Sequence, residues 1–128
     1  MKILLDTHAF LWLMVDDPRL SGTAKSAFTD VNNEIYLSLA SAWEMAIKSS
    51  LQKLKLPLPV KDYIVTRSQA HQVKLLPIAL DHIAVVETLP LHHRDPFDRL
   101  IIAQSIFETL YILSDDQFFD SYPIQRIW

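Results

Sequence analysis

The sequence has no cysteine and a single glycine, Gly22. Without thiols there is no disulfide, cysteine nucleophile, iron–sulfur cluster or cysteine-ligated zinc. One glycine excludes the Walker loop and the dinucleotide fingerprint, which need several glycines where backbone approaches phosphate. Proline takes 7 of 128 positions and charged residues 21%, so long disordered tracts are not expected. No apolar run reaches the roughly 18 residues of a membrane span. The N-terminal run MKILLDTHAFLWLMVDD is interrupted by Asp6 and His8 and lacks a small-residue cleavage site, so it does not read as a signal peptide. The expectation is a cytoplasmic protein with no membrane segment. Hydrophobic residues make up 50% of the chain, enough for one domain over residues 1–128 that buries roughly two-thirds of its unfolded surface.

The net charge of −3 argues against a general nucleic-acid binder, yet the charges are unevenly placed. Residues 48–74 hold six basic side chains (Lys48, Lys53, Lys55, Lys61, Arg67 and Lys74) and one acidic, between two acidic flanks. By charge alone, a solvated helix face explains this stretch.

Short apolar runs alternate with longer helical patterns. Lys2–Asp6 reads as a buried strand, followed by a helix over His8–Val15 and a second from the cap Ser21 to Thr29. Glu34–Ser38 is a strand. Apolar spacings of three and four then predict a helix over Leu39–Leu54, broken by Leu56-Pro57-Leu58-Pro59. A helix over Val60–His71, a strand at Lys74–Leu76 and a short helix capped by Asp81 and ending near Leu89-Pro90 come next. Asp95-Pro96 opens a helix to Thr109, with Asp95 as N-cap. Leu110–Ser114 is a strand, and the end of the chain, Ile124–Trp128, supplies a last one. This alternation predicts an α/β fold with a mostly parallel sheet covered on both faces. Trp12 and Trp43 are expected in the core, and Phe118-Phe119 under the last strand.

Functional groups of open α/β sheets gather at the carboxyl ends of the strands. Asp6, Glu44, Asp98 and Asp116 map to that edge. Each has an ordinary role available: Asp6 as a helix cap, Glu44 as the ion-pair partner of Lys48, Asp98 in a helix's positive first turn, Asp115-Asp116 in a solvent turn. Together they describe carboxylates that repel one another unless their pKa values rise or a cation sits among them. Oxygen-only donors indicate a hard ion, Mg²⁺ or Mn²⁺, suited to phosphodiester hydrolysis. Convergence of the four depends on strand order, which spacing does not reveal.

The segments LLDTHAFLWL (4–13), SxxSAWEMAIK (38–48), HHRDPFDRLIIAQ (92–104) and LSDDQFF (113–119) resemble the PIN-domain nucleases, in particular the VapC-like toxins of toxin–antitoxin modules. HRDPFDRxxIAQ is the most specific of these strings. Position by position, the resemblance places Asp6, Glu44, Asp98 and Asp116 on the family's catalytic, metal-binding positions. Thr7, Ser114 and Asp95 are supporting residues, Asp95 chiefly as a cap. Ser114-Asp115-Asp116 departs from the usual Thr-x-Asp and leaves Asp115 as a rival for the fourth acid. The resemblance implies a PIN-like three-layer α/β/α sandwich of about five strands and a metal-dependent endoribonuclease with an RNA substrate. It also implies a cognate antitoxin and a homodimer. Lys48, Lys53, Lys55 and Arg99 become candidate RNA-backbone contacts in that light.

The histidines at 8, 71, 82, 92 and 93 show no zinc-helix spacing and read as surface or capping residues, with His92-His93 near enough to the acidic string to touch substrate. No GxSxG elbow supports a serine hydrolase. A haloacid-dehalogenase-like phosphatase wants a carboxylate two residues after Asp6, where His8 stands. A receiver module wants an acidic pair and a late lysine, both missing. A catalytically dead scaffold would have lost acids that this chain retains.

Overall fold

The computed structural model describes residues 1–128. Five strands, β1 (Lys2–Leu5), β2 (Glu34–Ser38), β3 (Lys74–Leu76), β4 (Tyr111–Leu113) and β5 (Arg126–Ile127), form one sheet in the order β3-β2-β1-β4-β5. Every pairing is parallel. Six helices connect them: α1 (Thr7–Met14), α2 (Gly22–Thr29), α3 (Leu39–Ser50), α4 (Val60–His71), α5 (Leu80–Thr88) and α6 (Pro96–Glu108). A 3₁₀ turn, Gln117–Ser121, follows β4 and has no counterpart in the hydrophobic pattern.

The period-two geometry of a strand sorts its side chains between two layers. Ile3, Leu5, Ile35, Leu37 and Leu113 face one way and pack with Phe10, Ala24, Met45 and Ile64 of α1 to α4. Leu4 and Ile112 face the other way, against Ile101, Ile102, Phe119 and Tyr122. The result is the expected three-layer sandwich.

Three local expectations are corrected. α3 stops at Ser50 rather than Leu54: Gln52 takes a left-handed φ of 59°, and the Lys53 and Leu54 N–H groups both turn back to the Lys48 carbonyl at 2.8 and 3.2 Å. Leu54 keeps its helical spacing in the sequence because it still packs on the core, from a loop. Asp81 does not cap α5. The buried His82 does so, its Nδ1 accepting the Ala79 N–H at 2.9 Å while Nε2 pairs with Glu108 at 2.9 Å. Trp43 is not core: it is 58% exposed and meets Phe97 edge-to-face at 4.9 Å. Trp12 is partly buried, between Trp128 at 5.9 Å and the Arg19 guanidinium at 4.4 Å.

Thr109 closes α6 in the left-handed region, with φ and ψ both 57°. A β-branched side chain is strained there, and glycine is not. Thr109→Gly should stabilise the chain by about 1 kcal/mol, a rise of a few degrees in melting temperature by calorimetry.

Candidate active site

The sheet order creates a switch point. β2 lies on one side of β1 and β4 on the other, so a crevice opens where the chain leaves β1 and β4. Asp6 stands immediately after β1. Its Oδ1 accepts the Ala9 N–H at 2.6 Å, capping α1, and its Oδ2 accepts from the Ser114 hydroxyl beyond β4. The same hydroxyl accepts the Asp116 N–H at 3.0 Å, so one serine orients two acids. Asp95 caps α6 through the Phe97 and Asp98 N–H groups at 2.8 and 3.2 Å, which fixes Asp98 on the first turn.

Asp6, Asp98 and Asp116 thereby line one open groove of about 460 Å³, and Asp115 lines it with them. Asp115 is exposed, whereas Asp116 is oriented by Ser114 and holds the Phe118 N–H at 2.9 Å. Glu44 approaches from α3 but does not line the groove. It is buried, accepts from Thr7 Oγ1 at 2.7 Å and pairs with Lys48 at 2.7 Å. Ser41 Oγ, 2.9 Å from Thr7 Oγ1, completes that support.

The electrostatics express the crowding. Burial pushes the Asp6 carboxyl up to about 6, against the opposing hydrogen bonds from Ser114 and Ala9. Asp98 is pushed up to about 8, first by burial and then by the charges of Asp95, Asp6, Glu44 and Asp116. Asp98 thus feels each of the other three expected site acids.

His93 is the site residue that sequence reasoning left outside the acidic set. Its Nδ1 accepts the Asp95 N–H at 3.2 Å. Nε2 lies 3.1 Å from Asp98 Oδ2 and 3.0 Å from Asp116 Oδ2, bridging the two acids. One ligand atom from each of these three residues lies within 4.8 Å of the others, close enough to share a metal ion. The adjacency of His93 to the Asp95 cap was the available signal, but the bridge depends on β4 lying beside β1.

The basic candidates divide. Lys48, Lys53 and Lys55 line a second groove of about 440 Å³ with Arg19, Trp12 and His8, and His8 also lines the acidic groove. Arg99 is corrected: it turns inward and donates to the carbonyls of Val86, Leu89, Pro90 and His93 and to the Tyr122 hydroxyl. Most of those carbonyls belong to a loop with no secondary structure of its own, and they need donors.

A small parallel α/β domain with carboxylates converging at its switch point has the architecture of a PIN fold. The chain belongs to the PIN domain family, whose profile matches residues 3–124. Ribonuclease VapC22 of Mycobacterium tuberculosis is 28% identical over 116 residues, spanning 90% of this chain and 87% of that protein. Ribonuclease VapC16 of the same organism is 39% identical over 69 residues, about half of each protein (51% of this chain and 48% of the relative). The fold also matches a chain in the crystal structure of VapBC2 from Rickettsia felis bound to a promoter DNA fragment. That match has a TM-score of 0.74 at 14% identity and covers 98% of this chain and 97% of that one. A DNA-bound VapBC from Salmonella typhimurium matches at 0.71 and 14%, covering 98% and 96%. No helix is long and apolar enough to cross a membrane.

Asp6 and Asp98 hold protons when folded at pH values where the unfolded chain has lost them. Without metal, their contribution to stability is therefore full below about pH 4 and is lost as pH rises through the folded values. In EDTA the melting temperature should fall from about pH 5 to about pH 9. Mg²⁺ or Mn²⁺ should restore it at the upper end, and Asp98→Asn should flatten the metal-free profile.

Proposed function

We propose that this chain is a divalent-metal-dependent endoribonuclease and the toxin of a toxin–antitoxin pair. The observation that carries the reading is the convergence of Asp6, Asp98 and Asp116 on one groove, two of them with carboxyls pushed far above their usual range. Such a donor set fits a hard cation, because a bound dication relieves the repulsion that protons otherwise relieve. Mg²⁺ or Mn²⁺ is the ion expected from oxygen donors, with Asp6, Asp98 and Asp116 holding it and Glu44 adding charge beside them. When bound, that ion makes water nucleophilic near neutral pH and offsets charge building on the phosphodiester oxygens.

The chain's own residues prepare the site. Ser114 donates its hydroxyl to the Asp6 carboxylate and accepts the Asp116 backbone N–H on the same oxygen, which ties the two acidic residues together. Thr7 and Ser41 hold Glu44 in a buried position that its charge would otherwise disfavour. Lys48, Lys53 and Lys55 lie along the groove that adjoins the acids through His8, and an RNA backbone crossing from one groove to the other meets positive charge before the acids. The VapC names of the relatives support the ribonuclease assignment, and the VapBC complexes among structures of this fold support an antitoxin partner. An arginine fork on that partner suits the acidic groove. Leu80, Ile83 and Phe107, exposed on α5 and α6, support self-association into a homodimer.

Asp6→Asn should abolish cleavage of RNA in Mg²⁺ or Mn²⁺ while leaving the melt in EDTA unchanged or slightly higher. A variant that melts far lower yet cleaves normally would make Asp6 structural only. Lys53→Ser with Lys55→Ser should weaken RNA binding and reduce its salt slope by about 1.4, roughly 0.7 for each phosphate no longer neutralised. The rate at saturating RNA should change little. A short protein encoded beside this chain should co-purify with it and block cleavage; a chain that cuts no cellular RNA and leaves growth unaffected would end the toxin reading.

A further inference from the structure

Phe118 is 67% exposed beside the acidic groove, although its neighbour Phe119 is fully buried. Phe118 is nevertheless held in place. Its N–H is donated to Asp116 Oδ1 at 2.9 Å, and its ring stands edge-on to His93 at 6.1 Å. His93 is in turn fixed between Asp98 and Asp116 and stacked on Phe119 at 5.7 Å. The sequence predicts both phenylalanines beneath the last strand; Phe119 is instead buried with Ile101, Ile102 and Ile112, and Phe118 is exposed.

Two openings meet at the Phe118 ring. One is the acidic groove, and the other is a hollow of about 310 Å³ lined by His92, His93, Arg94 and Asp95. Phe118 lines both, and it is the one hydrophobic residue in either. Arg94 is exposed and takes part in no salt bridge. The His92 ring leans edge-on against Tyr122 at 5.3 Å with its nitrogens free of hydrogen bonds within the chain.

We propose that Phe118, Arg94 and His92 form a subsite for one unpaired nucleotide of the RNA, next to the acidic centre. The base stacks on Phe118, its edge reaches His92, and a flanking phosphate lies beside Arg94. This rests on the ribonuclease reading of the acidic groove. An anchored, uncovered aromatic ring among polar groups matches a ligand with an apolar face and hydrogen-bonding edges, which is the chemistry of a nucleobase. A protein partner burying apolar side chains would find one apolar residue here and charges around it. Bases inside a duplex have both faces covered, so the subsite selects a loop, bulge or single strand.

The test uses the full chain carrying Asp6→Asn, and a short single-stranded RNA with one 2-aminopurine beside the cleavage position. Stacking should quench the 2-aminopurine fluorescence on binding. Adding Phe118→Ala should abolish the quench and weaken binding about tenfold, within the range expected for one stacked base. Phe118→Trp should keep both, and Phe118→Leu, which is apolar but cannot stack, should behave as alanine does. Arg94→Gln should lower the salt slope by about 0.7 without removing the quench. Thermal melts of the exposed-residue variants should match their parent. RNA binding that is unaffected by Phe118→Ala, or a quench that persists in it, overturns the subsite and leaves the ribonuclease reading intact. Failure of the Asp6→Asn chain to bind any RNA overturns both.

Discussion

The Asp6 carboxylate ties the loop that follows β1 to the loop that follows β4. One oxygen caps α1 and the other accepts from Ser114, 108 positions away in the chain. The two strands that end at these residues are neighbours in the sheet, so the bond closes the crevice floor from both sides. The parallel pairing of β1 with β4 brings the two loops side by side, and the bond ties them at their first residues. With it, Asp116 is aligned through the same serine, and α1 delivers Thr7 to Glu44.

The junction gathers like charges, and the fold supports them with short polar contacts instead of dispersing them. Lys48 is the one lysine or arginine paired with a site acid, and it pairs with Glu44 rather than with the three acids of the groove. His93 sets its Nε2 between two of them, 3.1 Å from Asp98 and 3.0 Å from Asp116. The acidic site is therefore an incompletely compensated cluster on a well-packed scaffold. Proteins commonly accept such local conflict where function requires it.

Much of this was legible in the sequence. Continuous apolar runs marked Lys2–Leu5 and Glu34–Ser38 as buried strands, and Asp95-Pro96 announced the start of α6 to the residue. Asp6 and Asp116 were legible because they follow strand ends, Asp98 because it lies in a helix's first turn, and Glu44 because it lies on the helix that leaves β2. The rest depended on which strands are neighbours. Only the order around β1 brings His93 to Asp116 or shows that Glu44 stands back from the groove. Arg99 looked like a phosphate ligand because sequence records its charge and not the bare carbonyls waiting for it. Trp43 kept a core-like helical spacing, but its place beside Glu44 put it at the rim, against Phe97.

The inward turn of Arg99 bears on how such a molecule can diversify. One guanidinium gathers four backbone carbonyls between Val86 and His93, and a tyrosine hydroxyl with them. The loop's path is set by main-chain atoms, which every residue type carries. Side chains at Leu91, His92 and Arg94 are left outside that grip. Mutation can rewrite them without unfolding the segment or moving Asp98, the neighbour of Arg99 on α6. A loop held this way leaves its side chains open to change while the acids stay where they are.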